Sequence, residues 1–163
     1  MSSVNPMIRP NILWICTDQQ RYDTVNALGC NHALTPNLDR LVEQGVAFTR
    51  AYSQSPVCTP SRASFLTGCY PSTIHVNRNG NAFFPSDITL VTRALADAGY
   101  DCGLVGKLHL SAADGRVEPR PDDGYRVFKW SHHPMPEPCW PTAEHDYQAW
   151  LERQGQSWDE LYP

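Results

Sequence analysis

The amino-terminal sequence lacks any long hydrophobic run. Several of its first fifteen residues are polar, and the apolar run from Ile12 to Cys16 is too short for a signal peptide or a membrane span. The six cysteines include no C-x-x-C pair, which argues against a zinc knuckle and a thioredoxin-like redox motif. We therefore expect a cytoplasmic protein with reduced cysteines.

An excess of charge of either sign is also missing. The formal net charge is -4 and the isoelectric point is about 5.8, so the composition favours neither nucleic acid nor an anionic membrane as a partner. The sequence has no internal repeat and no low-complexity tract. With 163 residues, of which 41% are hydrophobic, the chain is long enough for one sizeable core and too short for two ordinary domains. We expect one domain over residues 1–163.

The first third of the chain alternates between strand and helix patterns. Residues 11–17 form a continuous apolar run, which is typical of a parallel strand covered on both faces. Thr35 and Pro36 then predict the start of a helix that ends at Gly45. Residues 46–51 fit the strand that follows.

A second stretch repeats this order. Thr89 is a candidate N-cap for a helix that ends at Gly99, and Asp101 to Val105 follow as a strand. Alternating strands and helices predict an α/β fold. Ligands in such folds bind beyond the carboxyl ends of the strands, where we expect both Asp18 and residues 106–109.

Beyond the predicted core at about 11–110, proline interrupts the pattern repeatedly. We interpret residues 112–163 as a surface-wrapping segment with one helix near Ala143 to Arg153. Its tryptophans are expected to anchor it to the core. Its histidines are expected to have a surface role, since no partner stands at metal-site spacing: His132, His133 and His145.

A cysteine at a predicted helix start carries the clearest chemical signal. Residues 58–68 read Cys-Thr-Pro-Ser-Arg-Ala-Ser-Phe-Leu-Thr-Gly. Cys58 would lie at or near a helix N-terminus, where backbone N–H groups and the helix dipole favour an anion. Arg62, four residues later, can offer a planar and permanently charged guanidinium to an oxyanion. The pattern predicts a site for a tetrahedral anionic ester.

The motif C-x-P-S-R with its Leu-Thr-Gly ending resembles the signature of the sulfatase family in the alkaline phosphatase-like superfamily. The resemblance implies a mostly parallel sheet flanked by helices, incomplete here at the C-terminus. It implies that a separate formylglycine-generating enzyme oxidises Cys58 to formylglycine. The hydrated aldehyde would attack the sulfur of a small-molecule sulfate ester and then expel sulfate, while Arg62 would hold its hydroxyls and neutralise charge.

Two further motifs extend the resemblance. Asp18 corresponds to a family ligand for calcium or a similar hard divalent cation, and Cys58 belongs to the same implied metal site. Gln19 stands where many members have a second aspartate, a variant that resembles choline sulfatase-like enzymes and phosphonate monoester hydrolases. The Gly-Lys-Leu-His sequence at 106–109 resembles the family's Gly-Lys-x-His motif. By that resemblance Lys107 contacts the sulfate oxygens and His109 hydrogen-bonds a formylglycine hydroxyl.

The resemblance spans most of residues 11–109. Because the family draws further metal ligands, a lysine and a histidine from later in the chain, we expect the amino-terminal part of a longer enzyme, inactive by itself. Two alternatives stay open. One is a phosphonate monoester or phosphodiester hydrolase with the same motifs. The other is a non-catalytic remnant that keeps the anion site without the modification. Residues 77–79 are left unassigned.

Overall fold

The computed structural model describes residues 9–113, 117–132, 144–157 and 160. The chain divides into two compact units, Met1–Ala51 and Tyr52–Pro163. None of the described helices is long and apolar enough to cross a membrane.

The first unit is built around helix α1, Pro36–Gln44, which follows two 3-10 turns at Tyr22–Thr24 and Asn26–Leu28. The helix begins after Thr35 and ends before Gly45, as predicted. The Thr35 side chain makes no capping bond to the helix. Its hydroxyl instead accepts from the backbone N–H of Asn26 at 2.8 Å, and hydrogen-bonds Asp39 Oδ1 at 2.9 Å. Thr35 thereby ties the second 3-10 turn to α1.

The predicted strands at 11–17 and 46–51 are wrong, since neither segment is a strand in the structure. Their apolar side chains lie in solvent, with Leu13 85% exposed and Val46 78% exposed. A strand requires a hydrogen-bonded neighbour, and neither segment pairs with a strand among the described residues. An apolar run shows that a segment could be buried in a sheet. It does not show which strand would pair with that segment.

The second unit contains a parallel strand pair with helices, in agreement with the α/β prediction. Helix α2 spans Cys58–Thr67 and helix α3 spans Val91–Asp97. Within the described residues, strands β1, Cys102–Gly106, and β2, Tyr125–Trp130, form a two-stranded parallel sheet. The N-cap of α3 is Leu90 and not the predicted Thr89.

Strand β2 was missed because it lies in the segment interpreted as surface wrapping. Prolines stand outside residues 125–130 and do not interrupt this strand. Its last residue, Trp130, is 1% exposed, which confirms the anchoring role predicted for it, whereas Trp150 is 48% exposed, which contradicts the same prediction. His132 and His145 are buried, so the surface role predicted for them is wrong. His133 and residues 134–143 lie outside the described residues.

One hydrophobic core joins α2 to the loop after β1. It contains Ala63 and Leu66 of α2 together with Ile74, Val76, Phe84, Leu90, Leu108 and Leu110. Leu108 and Leu110 are 1% and 0% exposed and stand on either side of His109. Burying these apolar side chains stabilises the contact of α2 with the loop.

Helix α4, Asp146–Arg153, begins at a buried histidine, inside the predicted range. The His145 Nδ1 atom accepts from the backbone N–H of Gln148 at 3.2 Å, which caps the helix. Its ring packs edge-on against Trp130, with the centroids 5.5 Å apart. Burial lowers the pKa of His145 from its ordinary value of 6.5, against opposing contributions from backbone hydrogen bonds and the charge of Asp146.

We predict that this histidine makes stability depend on pH. Because its folded-state pKa is lowered, its stabilising contribution is fully present above the unfolded-state pKa, near 6.5, and is lost as pH falls through the folded-state pKa. His145→Asn keeps a capping acceptor but does not titrate, so its unfolding free energy should depend less on pH. Denaturant unfolding across a pH series measures this. The exposed His32, replaced by asparagine, is the control, and equal pH dependence in wild type and His145→Asn would contradict the prediction.

Candidate functional site

Cys58 is the first residue of α2, as the sequence predicted, and is half-buried. The N-cap is Val57, whose apolar side chain cannot accept a hydrogen bond. A residue from later in the chain replaces it: Asn79 Oδ1 accepts from the backbone N–H of Thr59 at 2.9 Å. A cap contributed from twenty positions away has no local sequence pattern, so the role of Asn79 became visible only in the structure.

A set of serine hydroxyls holds the chain that leads into α2. Ser53 and Ser61 share a hydrogen bond of 2.8 Å between their hydroxyls, and Ser61 belongs to the C-x-P-S-R motif. Ser53 also donates to the carbonyl of Ser55 at 2.7 Å, and the Ser55 hydroxyl accepts from Val57 N–H at 3.1 Å. These contacts restrain the backbone that immediately precedes Cys58.

Arg62 links the two motifs of the second unit. Its Nη1 atom donates to the backbone carbonyl of Lys107 at 2.6 Å, across 45 positions of sequence. A guanidinium has five N–H donors, so one contact does not exhaust its capacity to bind an oxyanion. The structure therefore brings the Cys58–Arg62 motif into direct contact with the Gly-Lys-Leu-His loop.

The loop at residues 106–111 has an unusual backbone. Gly106 has a φ of 116° and His109 has a φ of 56°. The left-handed region is uncommon for a residue with a side chain, and such conformations occur often at functional sites. The His109 ring is buried and meets the ring of His132 edge-on, with 4.5 Å between centroids.

Glu118, which no sequence motif indicated, binds the backbone of this loop. Its carboxylate accepts hydrogen bonds from the backbone N–H groups of His109, Leu110 and Ser111 and from the Trp130 indole. A single glutamate in a proline-containing segment has no sequence pattern that would have revealed this role.

Asp18 and Gln19 lie in the first unit, and both side chains are exposed. Gln19 has a φ of 56°, the same left-handed conformation as His109. Among residues 9–113, 117–132, 144–157 and 160, no group of three or more His, Cys, Asp or Glu side chains could hold a metal. Calcium takes about six to eight oxygen ligands. Asp18 and Gln19 alone do not complete such a set, so the described residues do not form a calcium site by themselves.

We predict that Asn79→Ala destabilises the chain by about 1 kcal/mol, because the Thr59 N–H at the start of α2 loses its acceptor. Asn79→Asp keeps an acceptor oxygen and should restore most of the loss. Thermal denaturation of the three proteins measures the effect. Asn77→Ala, two residues earlier and exposed, serves as the control. An Asn79→Ala protein as stable as wild type would show that solvent satisfies the helix start equally well.

Comparison with known proteins gives a consistent set of matches. Residues 10–152 match a protein-family model described as Sulfatase. The chain is 33% identical over 147 residues to an ulvan-active sulfatase of Formosa agariphila, covering 87% of this chain and 29% of that protein. It is 38% identical over 113 residues to human arylsulfatase H, covering 63% of this chain and 20% of that protein.

A solved structure shows the same likeness. The crystal structure of a phosphonate monoester hydrolase of Agrobacterium radiobacter matches with a TM-score of 0.66 and 32% identity. The match covers 90% of this chain and 29% of that one. The chain thus spans between 20% and 29% of the length of these three relatives.

Proposed function

The chain belongs to the sulfatase family and has the alkaline phosphatase-like α/β fold, and from this premise we propose a sulfuric ester hydrolase that uses a formylglycine derived from Cys58. One observation carries the proposal: Cys58 begins α2, and Arg62 of the same helix is bonded to the Lys107 carbonyl. A nucleophile, a helix N-terminus and a fixed cation are the features that attack on an anionic ester requires.

Sulfatases generally use a formylglycine and a divalent metal. If Cys58 is converted to formylglycine, the hydrated aldehyde would supply one hydroxyl for attack on sulfur and a second whose deprotonation would later expel sulfate. The residues around it provide the electrostatics. Arg62, held by the Lys107 carbonyl, presents positive charge to the sulfuryl oxygens without having to reorganise in the transition state.

Lys107 and His109 complete the proposed catalytic group. Lys107 contributes a point charge toward the sulfate oxygens. His109 hydrogen-bonds the attacking hydroxyl and can hold or return its proton. In the first step the S–O bond to the alcohol would break as a new S–O bond to the residue-58 hydroxyl forms. The proton that this hydroxyl loses would pass to the departing alcohol oxygen.

The proposed metal is calcium, with Asp18 and Gln19 of the first unit as candidate ligands. Oxygen ligands suit a hard divalent cation. Asp18 and Gln19 do not make up a full ligand set, and the roles given above to Arg62, Lys107 and His109 do not depend on the metal.

A phosphonate monoester hydrolase is the second candidate function. The match to such an enzyme over 90% of this chain favours it, and the Asp18-Gln19 pair resembles that group. In both reactions a nucleophile attacks a tetrahedral anionic centre, which is sulfur in a sulfate ester and phosphorus in a phosphonate ester. The same catalytic residues therefore suit both substrates. Comparing kcat/KM of the full-length protein for an aryl sulfate and an aryl phosphonate ester would separate the two.

The deciding experiment is mass spectrometry of the tryptic peptide 51–62 from protein expressed with a formylglycine-generating enzyme, the transient partner that the proposal requires. A mass loss equal to exchanging the thiol for an aldehyde is expected. Unmodified Cys58 under these conditions, with no turnover of a small-molecule sulfate ester, would favour a non-catalytic remnant. The cytoplasmic location stays a prediction.

A further inference from the structure

Glu118 is a buried acidic residue for which the proposed mechanism has no use. It is 2% exposed and lies in the connection between β1 and β2. Its Oε2 atom accepts from Leu110 N–H at 2.8 Å and from Ser111 N–H at 3.2 Å. Its Oε1 atom accepts from His109 N–H and, at 3.1 Å, from the Trp130 indole.

Three successive backbone N–H groups directed at one acceptor form the kind of concavity that binds anions in many proteins. In this chain the anion is the chain's own carboxylate. The N–H groups of His109, Leu110 and Ser111 are thereby committed to Glu118. These N–H groups therefore cannot also bind the negative charge of an ester. Side chains of the loop and the N-terminus of α2 would have to stabilise that charge.

The same contacts restrain the conformation of His109. Its φ of 56° is unfavourable for a histidine, so the surroundings have to impose it. Leu108 and Leu110 are buried in the core on both sides, and the carboxylate bonds the backbone between them. The core fixes where the loop lies, and Glu118 fixes how its backbone turns at His109.

Glu118 also connects the ends of the two strands. The Trp130 indole that binds it belongs to the last residue of β2, and Ser131 N–H donates to the carbonyl of Gly106 at 3.0 Å. The turn after β1 is therefore held to the end of β2 by one backbone bond and by the carboxylate.

We propose that Glu118 is a positioning residue, whose buried carboxylate holds the backbone of residues 109–111 and so sets the orientation of His109 and Lys107 toward the substrate. This inference rests on the function proposed above for His109 and Lys107. It adds a residue to that site that touches neither the substrate nor the nucleophile.

The test uses Glu118→Gln, which keeps the size of the side chain. An amide nitrogen cannot accept a hydrogen bond, so one side of the carboxylate's contact with the loop becomes repulsive. The matched control is Asp123→Asn. Asp123 is also 2% exposed and accepts from Arg120 and from Tyr125 N–H, but none of its hydrogen bonds within the described part of the chain involves residues 106–111.

Hydrogen exchange and histidine NMR of this chain provide the structural measurements. In Glu118→Gln, exchange at residues 109–111 should accelerate by on the order of tenfold or more, while β1 and β2 keep their protection. The His109 ring resonances should shift, because its edge-on contact with His132 depends on the turn. Asp123→Asn should leave residues 109–111 and the His109 ring unchanged.

Kinetics of the full-length protein provide the functional measurement. With an aryl sulfate, kcat per folded molecule should fall by on the order of a hundredfold in Glu118→Gln and stay near wild type in Asp123→Asn.

Loss of hydrogen-exchange protection throughout the sheet in Glu118→Gln would show that Glu118 only stabilises the fold, and would overturn the proposal. Unchanged exchange at 109–111, or unchanged kcat, would also overturn it. If wild type itself has no activity, the proposed function fails, and the NMR arm still decides whether Glu118 orients the loop.

Discussion

Replacing Cys58 with serine is expected to abolish the steady-state turnover of a sulfate ester, leaving at most about one event per protein molecule. A serine offers one hydroxyl, which can take the sulfuryl group but cannot expel it afterwards. The variant should therefore stop after one event, with sulfate bound covalently at residue 58. Steady-state kinetics of the full-length protein and mass spectrometry of peptide 51–62 measure both effects.

Cys69→Ser is the matched control for this substitution. Cys69 is also half-buried, lies just beyond the C-terminal end of α2, and its thiol contacts the Thr67 carbonyl at 3.7 Å. Turnover in Cys69→Ser should equal that of wild type. Sustained turnover in Cys58→Ser would place the nucleophile elsewhere in the protein.

The second large effect is expected at Arg62. Arg62→Lys keeps the positive charge but loses the planar fork and the Nη1 contact to the Lys107 carbonyl. Because a preorganised donor to a developing oxyanion contributes about 10²- to 10³-fold to rate, we expect kcat/KM to fall by that factor. Kinetics with an aryl sulfate measure the loss, and thermal denaturation shows whether the fold is kept.

Arg40→Lys on α1 is the control, since Arg40 is exposed and lies in the other unit. It should leave both kcat/KM and stability near wild type. An Arg62→Lys protein with normal kcat/KM and lowered stability would limit Arg62 to a structural link between α2 and the loop.

The predictions that succeeded rest on local signals. Thr35-Pro36 and Gly45 bound α1, and the periodic pattern before Gly99 located α3. Cys58 is the first residue of α2, Pro60 lies in the first turn, where proline is tolerated, and Gly68 ends that helix in a left-handed conformation. Signals of this kind depend on residues within a few positions of each other, so they can be read without knowing the fold.

The predictions that failed concern partners far away in the sequence. Residues 11–17 have the composition of a buried strand, yet the structure leaves them unpaired with any described strand and exposed. Strand β2 was missed because its pairing with β1 is a relation between residues more than twenty positions apart. The composition of a segment shows whether its side chains could be buried. It does not show which other part of the chain packs against them.

The same division applies to the site. The C-x-P-S-R and Gly-Lys-Leu-His motifs could be identified in the sequence because each chemistry requires given residue types at short spacing. The contact of Arg62 with Lys107, the cap from Asn79 and the anchoring of His109 by Glu118 became visible only in the folded chain. Each joins residues between 9 and 45 positions apart through one hydrogen bond. Such bonds depend on how the core brings segments together, and no short stretch of sequence encodes that.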